Sequence, residues 1–229
     1  MTRFDCRRED ERKRGIERAI GAAGRHQLVV FPTETSYAVA CDAFSAVAVE
    51  RLNTAKGRLG TDALPVMVGS VKAARALVGV LHPTGEALVE GFWPGPLTAV
   101  CAQQPTLHWD IGGDGTLVAV RMPLHPVALE VLQGVGPMAV VTANRVGEPV
   151  PVTCDEAEEQ LDAAVSVYLD GGARPVGAAS TVVDLTEREP RLLRGGAVSV
   201  DELRSVAPDL RLPDEPVDER EAAPSGPPS

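Results

Sequence analysis

Apolar residues recur along the chain at two spacings, and the two alternate. Arg8 to Ala23 has helical spacing and ends near Gly24. Ser45 to Arg58 places Val49, Leu52 and Ala55 on one helical face, with Ser45 as N-cap. Further helical stretches open at Ser70 ("SVKAARALVGV"), Pro83 ("PTGEALVEGFW", stopped by "PGP"), His125 ("HPVALEVLQGVG"), Thr153 ("TCDEAEEQLDA") and Ser199 ("SVDELRSVA"). Thr153 and Glu156 have the spacing of a capping box. Between the helices lie short apolar runs that predict strands: "QLVVF", "ALPVMVG", "PLTAVCAQ", "LVAVRMP", "PMAVVTAN", "AVSVYLDGG", "ASTVVDLT" and "RLLRGG". This alternation predicts an α/β fold with helices flanking one sheet. Several connections are too short for a crossover helix, so the sheet is expected to mix parallel and antiparallel pairs.

The chain has 229 residues, 44% of them hydrophobic, which suits one large domain with a substantial core. No apolar run approaches the ~18 residues of a membrane span, and the charged start "MTRFDCRREDERKRG" is not a secretory signal, so a cytoplasmic, membrane-free protein is expected. Cys6, Cys41, Cys101 and Cys154 form no CxxC pair, and His26, His82, His108 and His125 form no HExxH. Reduced thiols are therefore expected, and no protein-held metal. The formal charge of −10 speaks against a protein whose main task is gripping nucleic-acid backbones. The segment from Pro213, "PDEPVDEREAAPSGPPS", reads as a disordered acidic tail, with residues 1–212 as the folded domain.

Candidate chemistry lies where apolar strands run into polar residues, since ligands of open α/β sheets gather at strand ends. "FPTETSYAVACD" follows "LVV" and places Thr33, Glu34, Thr35, Ser36 and Tyr37 together. "AKGR" carries Lys56 and Arg58 at a helix end, where they could equally complement the helix dipole. Arg121 ends one strand, and Thr142 and Asn144 end another. Ser180 enters a strand and Arg194 leaves one. There is no GxxxxGK[ST] and no GxGxxG after a strand. "GGDG" and "DGG" read as turns, and "FWPGP" as a structural corner. Cations at several strand ends of an acidic chain imply a local basic pocket for a polyanionic small molecule such as a nucleotide.

Taken in order, "FPTETSYAVACDAFS", "AKGR", "FWPGPLT", "VAVRMPLHP", "VVTANRVGEP", "STVVDL" and "LLRGGAVS" resemble the YrdC/Sua5 family over residues 10 to 205. The resemblance implies a twisted mixed sheet around a concave, positively lined cavity, in the short single-domain form. It implies synthesis of threonylcarbamoyl-AMP and pyrophosphate from L-threonine, bicarbonate and ATP, with Mg²⁺ accompanying ATP, for modification of adenosine 37 in tRNA. It places Thr35, Arg121 and Ser180 at threonine, with Arg121 on its carboxylate. Lys56 and Arg58 fall at the ATP phosphates, Thr142 and Asn144 near the reacting phosphate, and Arg194 near ATP. By the same analogy the product passes to a threonylcarbamoyl transferase complex, with at most weak direct tRNA contact. Two other readings stay open: a diverged enzyme that forms a carbamoyl-adenylate or transfers a carbamoyl group, and a non-catalytic RNA-binding module. The run Arg7, Arg8, Arg12, Lys13, Arg14 and Arg18, interleaved with Glu9, Asp10, Glu11 and Glu17, reads as a solvated helix face rather than an RNA patch.

Overall fold

The structure is a computed structural model that describes residues 1–58, 62–174 and 178–213. The expected tail, beyond Pro213, lies outside the described residues. In chain order the elements are β1 (Thr2–Asp5), α1 (Glu9–Ala23), β2 (Leu28–Pro32), β3 (Tyr37–Asp42), α2 (Ala46–Lys56), β4 (Val66–Met67), α3 (Val71–Arg75) and α4 (Pro83–Phe92). There follow β5 (Leu97–Ala102), β6 (Leu117–Arg121), α5 (Pro126–Val135), β7 (Met138–Thr142), α6 (Cys154–Leu161), β8 (Val165–Asp170), β9 (Thr181–Asp184), β10 (Arg191–Arg194) and α7 (Val200–Val206).

The strands form one sheet in the order β1-β8-β2-β3-β7-β4-β6-β5-β9-β10. It is mixed, as expected: β2 pairs antiparallel with β3 and β3 with β7, whereas β4–β6 and β5–β9 are parallel. Caps read from the sequence hold. The hydroxyls of Ser45 and Ser70 accept from backbone amides three residues on, and Thr153 and Ser199 each form a reciprocal capping box with a glutamate.

The sequence reading missed two strands. β1 is a polar edge strand with little apolar signal. β3 is the more consequential, because it pairs with neighbours on both sides near the middle of the sheet. It is buried almost throughout, so the apolar/polar alternation that marks a half-exposed strand is absent. Two predicted elements are shorter than expected: "ALPVMVG" contributes only Val66–Met67 to the sheet, and "SVKAARALVGV" only Val71–Arg75 to a helix.

Alternation along the strands splits the core in two. Leu28, Val30, Tyr37, Val39 and Cys41 pack with Leu52 of α2, Leu88 of α4, Ala157 of α6 and Leu203 of α7. Val29, Phe31, Ala38 and Ala40 point the other way, onto Ile16 and Ala19 of α1 and Val127 and Val131 of α5. Among the described residues, only α1 and α5 contribute helices to that second layer. It covers the β8-β2-β3-β7 half of the sheet face, with Met67 of β4 packed at its margin, so no described helix of either cluster lies over β6, β5 and β9 on this side.

Leu52 is fully buried one turn before Lys56 and fixes how the end of α2 meets the sheet. Leu52→Ala is expected to lower stability by about 2–5 kcal/mol, measured as a shift in urea midpoint at unchanged slope.

Candidate active site

A cavity of about 460 Å³ opens over the uncovered half of the sheet. Pairing register brings its floor together. Thr98 and Val182 are paired, as are Met67 and Arg121, and Ala38 and Thr142. These residues and Ala119 line the cavity, while Val120, one residue from Arg121, belongs to the opposite core cluster. The walls are Thr33, Thr35 and Ser36 from the β2–β3 turn, Val150 from the loop after β7, Ala179 and Ser180 just before β9, and Arg194 at the end of β10. A wider groove of about 730 Å³ lies over α2 and α6, lined by Val47, Glu50, Arg51, Arg145 and Leu161 among others. None of the eight candidate residues lines it, whereas five of them (Thr35, Arg121, Thr142, Ser180 and Arg194) line the smaller cavity. The convergence of cations and hydroxyls, not size, marks the smaller one as the site.

The turn that presents Thr35 is built by Thr33. Its hydroxyl accepts from the amides of Thr35 (3.2 Å) and Ser36 (3.2 Å) and donates to the Ser36 carbonyl (2.9 Å). This is a side-chain turn that also leaves the Thr35 hydroxyl 3.1 Å from that of Thr33. The cluster of hydroxyls that stood out in the sequence therefore divides its work, with Thr33 shaping the turn and Thr35 facing the cavity. Tyr37 belongs to the fold. Its hydroxyl lies 2.8 Å from the Gly172 carbonyl and accepts from the Gly171 amide at 3.1 Å. Asp170 accepts from the Gly172 amide at 2.8 Å, so "DGG" is a turn, as expected.

Lys56 is the last residue of α2 and is only 6% exposed. Its ammonium donates to the Thr142 carbonyl at 2.7 Å and to Asn144 Oδ1 at 3.1 Å. Asn144 in turn donates to the carbonyls of Arg145 (3.0 Å) and Glu148 (2.8 Å), which fixes the loop after β7. Both acceptors of Lys56 are neutral oxygens. Burial first, and the nearby Arg58 charge second, pull its pKa down to about 8. Gly57 adopts a left-handed conformation (φ 66°) that ends the helix and turns the chain. Arg58 therefore leaves in another direction. It is part-exposed, donates to the Asp62 carbonyl at 2.9 Å, and does not line the cavity. Of the candidate cations, Arg121 and Arg194 line the cavity and Lys56 and Arg58 do not, although Lys56 is tied to its lining through the Thr142 carbonyl.

Arg121 ends β6 and is 6% exposed. Its Nε donates to the Gly95 carbonyl at 3.2 Å, and the Gly95 amide donates to the Met122 carbonyl at 2.8 Å. The "FWPGP" corner thus braces the arginine. Gly95 can hold that corner because a Cβ there would sit 2.4 Å from the Phe92 carbonyl oxygen. On the far wall the Arg194 guanidinium donates to the Ser180 carbonyl (2.8 Å) and hydroxyl (3.2 Å), and the Ser180 hydroxyl lies 2.9 Å from that of Thr98. The sequence reading missed Thr98, whose only signal is a lone polar residue inside the apolar run "PLTAVCA". It also left Glu34 without a role. Glu34 Oε1 lies 2.8 Å from Arg121 Nη2.

The four cysteines are buried free thiols, each with its pKa pushed up to about 12 mainly by burial. None lines the cavity. Among the described residues no group of three or more His, Cys, Asp or Glu could hold a metal ion, and no helix is long and apolar enough to cross a membrane. The charged α1 face is paired as expected: Lys13 with Glu9 (2.8 Å), Arg14 with Asp10 (3.7 Å) and Arg12 with Glu130.

Fold and cavity define a mixed α/β protein with a polar, arginine-bearing cavity on one face of its sheet. The chain belongs to the Sua5–YciO–YrdC family, whose model, described as "Telomere recombination", matches residues 22–196. A Mycobacterium tuberculosis protein provisionally named threonylcarbamoyl-AMP synthase is 46% identical over 203 residues, covering 89% of this chain and 94% of that protein. The threonylcarbamoyl-AMP synthase of Pyrococcus abyssi is 35% identical over 198 residues, covering 86% of this chain and 58% of that protein. The crystal structure of P. abyssi Sua5 complexed with L-threonine superposes with a TM-score of 0.81 at 35% identity, over 89% of this chain and 61% of that one. Escherichia coli YciO, at 20% identity and a TM-score of 0.75, shares the fold.

Two outcomes are expected. A Cβ on Gly196 would meet the Ala179 carbonyl oxygen at 2.3 Å and the Ser180 carbonyl carbon at 2.6 Å, whereas one on Gly195 meets nothing within 4 Å. Gly196→Ala should cost about 1–3 kcal/mol and Gly195→Ala should be near neutral, both read by urea denaturation. For Lys56, the folded chain releases the proton at about 8 and the unfolded chain near 10.5. Between those values the unfolded chain binds more protons, so this group's contribution to stability rises with pH, while below about 8 its buried charge is a cost. The wild-type minus Lys56→Met difference in stability should move in the wild type's favour from pH 7.5 to pH 10.

Proposed function

We propose that this protein is a threonylcarbamoyl-AMP synthase, joining L-threonine, bicarbonate and ATP with release of pyrophosphate, for tRNA modification. The observation that carries this reading is Arg121. It is a deeply buried guanidinium lining the cavity, and its Nη2 makes no hydrogen bond among the described residues. Glu34 Oε1 lies 2.8 Å away but is not aligned for a hydrogen bond, and a substrate carboxylate would satisfy this buried donor with charge-assisted bonds. The relatives named above, and the threonine bound in the similar P. abyssi structure, support the choice of substrate.

In this reading the threonine carboxylate docks on Arg121, with Thr35 and Ser180 beside the amino acid. ATP lies with its phosphates toward Lys56 and Arg58, and Thr142, Asn144 and Arg194 border the nucleotide. The threonine amine attacks the bicarbonate carbon and water leaves, giving a carbamate. A carbamate oxygen then attacks the α-phosphorus, and the bond to pyrophosphate breaks. The side chains supply position and charge rather than a nucleophile. Mg²⁺ would arrive with the ATP phosphates and neutralise part of their charge. Asn144 and the Thr142 carbonyl hold the Lys56 ammonium in place before the phosphates arrive. The product would pass to a threonylcarbamoyl transferase in the cytoplasm, and the paired charges of α1 leave direct tRNA contact weak.

With ATP and Mg²⁺, pyrophosphate release should require L-threonine and bicarbonate together, and release that ignores either one would sink the reading. Arg121→Ala should lower kcat/KM for L-threonine on the order of a hundredfold, with the fold intact by circular dichroism.

A further inference from the structure

Glu34 sits next to Thr35 on the β2–β3 turn, yet it does not line the cavity. Its carboxylate lies against the guanidinium of Arg121, with Oε1 2.8 Å from Nη2. The contact brings the charges together without aligning a hydrogen bond. Neither Glu34 oxygen accepts one among the described residues, and both oxygens are shut off from solvent. The turn does not depend on Glu34, since Thr33 makes its hydrogen bonds. The other titratable group close by is His125, at the start of α5. Burial, and then the Arg174 charge, hold its pKa down to about 4, so it stands beside Glu34 as a neutral ring. The cavity thus keeps a buried carboxylate whose charged neighbour is the arginine meant for substrate. A buried, unsatisfied carboxylate is a standing cost that calls for an explanation.

We propose that Glu34 is a positioning and specificity residue: it holds Arg121 at the cavity wall and offsets its charge, so that the amino-acid subsite takes a zwitterion and rejects phosphates. This rests on the functional reading above. Attraction to the Arg121–Glu34 pair is the guanidinium's pull less the carboxylate's push, and both scale with ligand charge. A phosphate dianion therefore loses twice what a monovalent carboxylate loses, while it still must shed the larger hydration shell. An α-amino acid also brings an ammonium, which the carboxylate favours. Such discrimination matters in a cavity that handles ATP and releases pyrophosphate, because either could otherwise block Arg121. Glu34 acts through Arg121, since its oxygens are not open to the cavity.

The test follows the Nε–H resonance of Arg121 in ¹⁵N spectra of the full chain, assigned by its absence in Arg121→Lys. In the wild type, L-threonine should shift this resonance and pyrophosphate should not. In Glu34→Gln, which keeps the shape and removes the charge, pyrophosphate should shift it and should compete with L-threonine, raising its apparent Kd at least threefold. Glu34→Asp should restore rejection, and Glu34→Ala provides a second neutral variant. Pyrophosphate shifts that are the same in wild type and both neutral variants would overturn the proposal. A wild-type protein indifferent to L-threonine would overturn the functional reading instead, and the pyrophosphate comparison would still decide the role of Glu34.

Discussion

Lys56 is kept out of water by two neutral oxygens, the Thr142 carbonyl and the Asn144 amide, and much of the site depends on that arrangement. The interaction ties the end of α2 to the end of β7, across the edge of the cavity. It leaves the ammonium without a fixed carboxylate, and so with a depressed pKa and an unmet demand for negative charge. The energy to hold such a group comes from the packing on either side, Leu52 and the rest of the large core cluster below. Stability in one layer thus supports electrostatic readiness in the other.

The same division shows how an acidic chain can still hold buried cations. Its net charge is −10, and surface arginines and lysines are spent on neighbouring carboxylates, as along α1. Two cations are buried, Lys56 at the end of α2 and Arg121 at the end of β6, where a reduced local dielectric strengthens them. Overall charge therefore says little about this cavity. It speaks instead against a broad nucleic-acid surface.

The fold class, most elements and five of the cavity residues were legible in the sequence, because caps, periodicity and strand-end polarity are local signals. What escaped depends on pairing. β3 was invisible because Ala38, Ala40 and Cys41 are small and buried on both faces, so nothing alternates. Thr98 looked like an ordinary strand residue until β9 brought Ser180 beside it. Arg58 looked equivalent to Lys56 at two residues' distance, but left-handed Gly57 sends it elsewhere. Glu34 was conspicuous yet uninterpretable, since its meaning lies in a residue 87 positions away in the chain (121 minus 34).

Along β6 the floor of the cavity is drawn from alternate residues, with Ala119 and Arg121 lining it and Val120 facing the core. A change of chain length inside β6 would exchange the two, burying a cation and offering the ligand a methyl group. Length can drift in the turns, where the β2–β3 and β7–α6 loops supply walls. Among descendants of such a protein, insertions should therefore collect at the rim, and substrate preference should evolve there first. The strands beneath are confined to exchanges of one side chain for another.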